Sequence, residues 1–182
     1  MQQAIVISGF GGQGTLFAGM VLAYAGMDHG KHVTWIPSYG PEMRGGTANA
    51  IVIVSDEEIG SPVVRYPDAA VVLNNPSMEK YESLIKAGGV LVANSSLVSA
   101  PSHRPDITCV PVPASDVATQ LGDVRVANMV ALGALAKATK ILPVEAIVQA
   151  LQDHLPERKR YLLEPNQRAV QEGAQIAEKV MV

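Results

Sequence analysis

Two hydrophobic rhythms alternate along this chain. Short runs that are apolar throughout read as strands buried on both faces, and between them lie longer stretches with apolar residues at helical spacing. Residues 4–8 (AIVIS) predict the first strand. Residues 15–27 predict a helix in which Leu16, Val21 and Leu22 supply apolar weight, Ala18, Gly19, Ala23 and Ala25 keep one side small, and Gly30 ends it. Strands follow at 32–36, where Pro37 is expected to stop the run, at 48–54, 69–73, 90–93 and 107–112. Residues 38–46 read as a loop, 55–58 as a turn, and 77–85 as a helix opened by Asn74-Asn75-Pro76 and broken at Ala87-Gly88-Gly89. Further helices are predicted from Pro113 and Ser115 to Leu121, over 126–139, over 144–154 with Pro143 at its start, and over 166–179 with one polar side. The stretch 98–105 (VSAPSHRP) is expected to be the most mobile loop.

Strands alternate with helices over the first two thirds, and the remainder is helical. The pattern predicts an α/β fold of Rossmann-like type, with a mostly parallel sheet, helices on both faces and a helical C-terminal part. No repeat or linker divides the chain, so residues 1–182 are read as one domain. At 182 residues such a domain hides roughly 70% of the surface of its unfolded chain.

Composition narrows the partners. The chain is 48% hydrophobic, 4% aromatic and 17% charged, with a mean hydropathy of +0.18. A charged fraction below the roughly 25% usual in soluble domains suggests that another subunit covers part of the surface. The net charge is −3, and the longest basic run is Arg158-Lys159-Arg160, read as a solvated turn or a dock for an acidic partner. Nucleic acid is therefore not an expected partner. The single cysteine, Cys109, cannot form an internal disulfide, hold an iron–sulfur cluster or complete a zinc finger, and it reads as a buried, inert thiol. The expected compartment is the reducing cytoplasm, with no signal peptide and no membrane span.

The first chemistry-bearing motif is Gly9-Phe10-Gly11-Gly12-Gln13-Gly14, between the first strand and the first helix. Glycines there permit unusual backbone angles and let a ligand reach the main chain, while the helix start favours an anion. A dinucleotide site also needs an acid at the end of the second strand, and Trp35-Ile36-Pro37 occupies that place. Asp28 comes too early, and no Lys-Ser/Thr pair follows the glycines as in a P-loop. The motif alone leaves open a phosphate site, an NAD(P) site or a purely structural turn.

The second motif, Ser38-Tyr39-Gly40-Pro41-Glu42-Met43-Arg44-Gly45-Gly46, sets a hydroxyl, a phenol, a carboxylate and a guanidinium in a loop after a strand. Arg44 could fork onto a phosphate, or pair with Glu42 inside the loop. GFGGQG followed by SYGPEMRGGTAN, with VANMVALGALAK further on, resembles the gamma subunit of 2-oxoacid:ferredoxin oxidoreductases, most closely the 2-oxoglutarate type. The resemblance covers most of the chain. It implies a subunit inactive by itself, in a complex that oxidatively decarboxylates a 2-oxoacid to an acyl-coenzyme A and passes electrons to ferredoxin. Thiamine diphosphate, Mg and iron–sulfur clusters would sit on alpha, beta or delta partners, with coenzyme A as the one cofactor this chain contacts. On that basis Gly9, Gly11, Gly12, Gln13, Gly14 and Arg44 are the expected cofactor-side residues. Ser38, Tyr39, Glu42, Asn49 and Asn74 would line the mouth or the subunit interface. The alternatives are a free-standing NAD(P) enzyme and a binding module outside any enzyme complex.

The remaining polar residues have plainer readings. His29 and His32 are too few to bind a metal, and His103 and His154 are assigned no catalysis. Asn74 is favoured as a helix cap, and Asn128 as a cap or a contact to a neighbour. Gly133, with Ala131, Ala134 and Ala136, predicts a close helix approach.

Overall fold

The computed structural model describes residues 1–40 and 46–181. In chain order its elements are β1 (Gln2–Phe10), α1 (Thr15–Asp28), β2 (His32–Tyr39), β3 (Thr47–Ser55), β4 (Ala69–Val72), α2 (Asn75–Tyr81), β5 (Val90–Asn94), β6 (Thr108–Val112), α3 (Ala114–Gln120), α4 (Ala127–Thr139), α5 (Val144–His154) and α6 (Leu163–Val180). Among the described residues the strands form one sheet in the order β2-β3-β1-β4-β5-β6.

The sheet is mostly parallel, as expected. The exception is β3, which runs antiparallel to both β1 and β2. Residues 40–46 are too short a link for the crossover that a parallel neighbour needs, so β3 must turn back. It slots between β2 and β1, and the βαβ unit closes around it.

Pro37 does not stop its strand. β2 continues to Tyr39, with Pro37 opposite Ala50. Gly40 N donates to Thr47 O at 2.7 Å, so in this antiparallel ladder the even-numbered amides of β2 face β3 and position 37 faces outward. β2 is an edge strand, where a missing outward donor costs nothing. The opposite edge, β6, likewise carries Pro111.

Helices cover the two faces unequally. On one face α1, α4, α5 and α6 join Ile5, Ile7, Val52, Val71, Val92 and Val110 in the larger core. On the other, Met78 and Tyr81 of α2 meet Val6, Val72 and Leu91. The small side of α1 has a purpose. A Cβ on Gly19 would stand 2.6 Å from Ala50 Cβ, and one on Gly26 2.8 Å from Val33 Cγ2. Glycine there lets the helix lie directly on β2 and β3. The approach read around Gly133 is an internal seam between α4 and α6.

Two local expectations shift. α6 begins at Leu163, because Pro165 falls in its first turn, where no amide partner is needed. Residues 157–162 form a 3₁₀ turn leading into it. The stretch 98–105 is tied down: Ser102 Oγ and His103 N donate to Glu82 Oε1, and the Arg104 guanidinium donates to Glu82 O and Ile85 O.

Candidate functional site

β1 sits where the connections diverge, α1 leading to β2 on one side and the later strands lying on the other. In an open α/β sheet the crevice beyond the strand ends at such a point is the preferred ligand site. The glycine turn lies there. Gly12 and Gly14 have φ values of 103° and 73°, in the region that disfavours side chains. Gly14 caps α1, and a Cβ on Gly12 would meet nothing within 4 Å.

The turn divides its amides between structure and solvent. Gly11 N donates to Gly46 O at 2.8 Å and Gln13 N to Phe10 O at 3.0 Å. Gly12 N and Gly14 N make no hydrogen bond among the described residues. Gly11 is thus committed to the fold, and Gly9 likewise: its Cβ would stand 2.6 Å from Gln13 Oε1. Gln13 points inward too. Its Oε1 accepts from Phe10 N at 2.7 Å and Asn74 Nδ2 at 3.0 Å, while its Nε2 donates to Leu73 O at 3.2 Å. Sequence reasoning placed these three at the ligand; the geometry turns them inward, into a frame that leaves Gly12 open.

Two more carboxamides complete that frame. Asn74 caps α2, its Oδ1 accepting from Ser77 N at 2.9 Å, as expected. Asn128, at the start of α4, donates to Gly14 O at 2.9 Å and so joins α4 to the start of α1. Both are almost fully buried, and each net bond is worth about 1 kcal/mol.

The second motif lands partly in view. Glu42 and Arg44 lie outside the described residues. Ser38 and Asn49 are register partners, and Asn49 is opposite Ser8. The three therefore form one polar row on the face away from α1, continued by a 2.9 Å contact between Ser8 Oγ and Ser77 Oγ. Tyr39, 58% exposed, alternates to the other face.

Two clefts flank Gly12, and Arg125 borders both. One, of about 200 Å³, is lined by Phe17, Leu155, Lys159 and Asn166. The other, of about 170 Å³, is lined by Gln13, Leu73, Asn94 and Ser115. Arg125 forks onto Asp123 through Nε at 2.8 Å and Nη2 at 2.7 Å. That pairing holds the Asp123 carboxyl below its usual range and raises the guanidinium, with Tyr161 adding to the latter. Sequence reading missed Arg125. Its signal was the Asp-x-Arg spacing just before the small-residue helix, and the turn between chain-distant elements hid its meaning.

The dinucleotide alternative does not fit this geometry. In such sites the acid-bearing second strand adjoins the first. Here β3 separates β2 from β1, placing the end of β2 roughly 10 Å away. Among the described residues no three His, Cys, Asp or Glu side chains group as a metal site, and no helix is long and apolar enough to cross a membrane. His154 does have a structural partner: it accepts or donates at 2.8 Å to Asp28 Oδ2 and stacks on Tyr24 at 4.0 Å.

Residues 4–176 match the family model described as pyruvate ferredoxin/flavodoxin oxidoreductase. The chain is 36% identical to the 2-oxoglutarate synthase subunit KorC of Methanocaldococcus jannaschii, over 99% of this chain and 96% of that one. It is also 36% identical to the ketoisovalerate oxidoreductase subunit VorA of Methanothermobacter thermautotrophicus, over 95% of this chain, but it spans only 36% of that relative's length. Among solved structures, the keto/oxoacid ferredoxin oxidoreductase gamma subunit of Geobacter sulfurreducens superposes with a TM-score of 0.86 at 33% identity, covering 99% and 98% of the two chains. The 2-oxoglutarate:ferredoxin oxidoreductase of Magnetococcus marinus, solved with 2-oxoglutarate, coenzyme A and succinyl-CoA bound, superposes with a TM-score of 0.87 at 26% identity, over 98% of this chain and 31% of that one. By the extent of the family match and by fold, this chain belongs to the pyruvate ferredoxin/flavodoxin oxidoreductase family.

Proposed function

We propose that this chain is the gamma subunit of a 2-oxoacid:ferredoxin oxidoreductase of the 2-oxoglutarate type. In this reading it lends an anion-binding wall to coenzyme A and is inactive alone. Alpha and beta partners, with or without a delta subunit, supply thiamine diphosphate, Mg and the iron–sulfur clusters, and the assembly works in the cytoplasm with ferredoxin as its acceptor. Two names support the assignment: the KorC relative matches end to end, and the Magnetococcus enzyme was solved with coenzyme A.

The observation that carries the proposal is the open hemisphere at Gly12. Its amide and that of Gly14 are unbonded among the described residues, at the N-terminus of a 14-residue helix. Such amides suit a phosphate oxygen. The chain's part is to bind and orient; the acyl chemistry belongs to the partners.

The test is a titration of coenzyme A into the purified complex carrying wild-type or Gly12→Val chain, with assembly checked by native mass spectrometry. The side chain would fill the hemisphere, and affinity should fall about tenfold or more, the loss of one charge-assisted contact. Equal affinity in intact complexes would overturn the proposal.

A further inference from the structure

A cleft of about 430 Å³ opens at the other end of the parallel strands from the glycine turn. That volume lies within the roughly 300–1,000 Å³ of small-molecule sites. Asp68 lines it just before β4, and Val90 and Thr108 line it where β5 and β6 begin. The turn from Lys86 to Gly89 forms one side, and Ala138, at the end of α4, stands on the other.

The polar groups of this cleft come in opposite pairs. Lys86 Nζ donates to Asp68 Oδ1 at 2.7 Å, and Ala4 N holds the other carboxylate oxygen at 2.7 Å. The ion pair is thus fixed in place and still partly open, with Lys86 52% and Asp68 28% exposed. Beside the ammonium, Ala87 N makes no hydrogen bond among the described residues. Across from it, Ala138 O accepts none among them either, at the C-terminal end of a 13-residue helix, where the dipole favours a cation. One side therefore offers donors and the other acceptors.

We infer that this cleft binds a free α-amino acid with an aliphatic side chain. A ligand bearing one charge would be attracted by one member of the Lys86–Asp68 pair and repelled by the other. A zwitterion lies head to tail against both. Its carboxylate accepts from Lys86 Nζ and Ala87 N, its ammonium donates to Asp68 and Ala138 O, and its side chain rests on Val90. These groups belong to neither sequence motif, and the inference does not depend on the glycine turn.

An NMR titration of the full chain, following backbone amides, tests it with L-valine, acetate and methylammonium as probes. L-Valine should give saturable shifts centred on Ala87, Thr108 and Ala138. Acetate and methylammonium, each lacking one charge, should bind at least about tenfold more weakly. Lys86→Met should weaken L-valine about tenfold or more by the loss of a charge-assisted bond. Thr108→Trp, at an exposed position, should do the same by filling the cleft, and it keeps the test decisive if Lys86→Met fails to fold. Absence of saturable shifts, acetate or methylammonium matching L-valine, shifts centred elsewhere, or L-valine affinity unchanged in a folded variant would each overturn the inference.

Discussion

Asn74 Nδ2 donates to Gln13 Oε1 at 3.0 Å, so the loop after β1 and the loop after β4 are joined side chain to side chain. The same Gln13 oxygen also accepts from Phe10 N, and its nitrogen donates to Leu73 O. Gln13→Leu would leave two donors and one carbonyl without their partner. A loss of about 2 kcal/mol follows, or roughly 5 °C in melting temperature for a domain of this size. Calorimetry checks it. The accompanying loosening of Gly12 should weaken coenzyme A binding by the complex as well.

Gly133 and Gly173 oppose each other's helices reciprocally. A Cβ on Gly133 would stand 1.9 Å from Val170 O, and one on Gly173 1.8 Å from Val130 O. Neither backbone carbonyl can move without bending its helix. Gly133→Ala or Gly173→Ala should each cost about 3 kcal/mol, a drop of roughly 10 °C in thermal melting. The two changes share one seam, so their combined effect should depart from additivity.

Asp56 accepts from both Lys31 Nζ and the Met1 ammonium, at 2.5 and 2.6 Å. Those hydrogen bonds lower its carboxyl from 3.8 to about 2. A depressed folded-state value stabilises the fold above the unfolded value and is lost as pH falls toward the folded one. Stability should therefore decline between about pH 4 and pH 2, and Asp56→Asn should flatten that limb in acid melts by lowering stability at neutral pH, while leaving stability below about pH 2 nearly unchanged.

The face of β2 and β3 away from α1 carries Ile36, 38% exposed, beside its register partner Ile51. On the other side of the strand Trp35 is 38% exposed. In the proposed complex this edge meets a partner subunit through side chains, since Pro37 removes an outward donor from the strand. Ile36→Asp should leave the isolated chain's melting temperature within about 1 °C, as an exposed site allows, and reduce its co-purification with alpha and beta subunits. Unchanged co-purification would place the interface elsewhere.

Much of the fold was legible because local chemistry and tertiary context agree. The apolar run 4–8 is the central strand, and Pro143 with the following helical spacing gives α5 its observed limits. Pro37 misled because an edge position, which alone makes it harmless, is a property of the assembled sheet. The direction of β3 was hidden for a similar reason: only the shortness of residues 40–46 encodes it. At the site, the glycines announced a turn with room for an anion. They could not show which amides the fold consumes, so Gly12 and Gly14 could not be separated from Gly11 and Gln13. Arg125, Lys159 and Asn166 reach the cleft from three later segments, and nothing in their local sequence points back to residue 12.

The most direct test of the account is a reconstituted assay of coenzyme A-dependent 2-oxoglutarate oxidation with ferredoxin as acceptor, run on this chain alone, on its alpha and beta partners, and on all together. The account predicts no turnover by the chain alone and full activity only when it joins its partners. Turnover by the isolated chain, or partner activity and coenzyme A affinity indifferent to its presence, would contradict it.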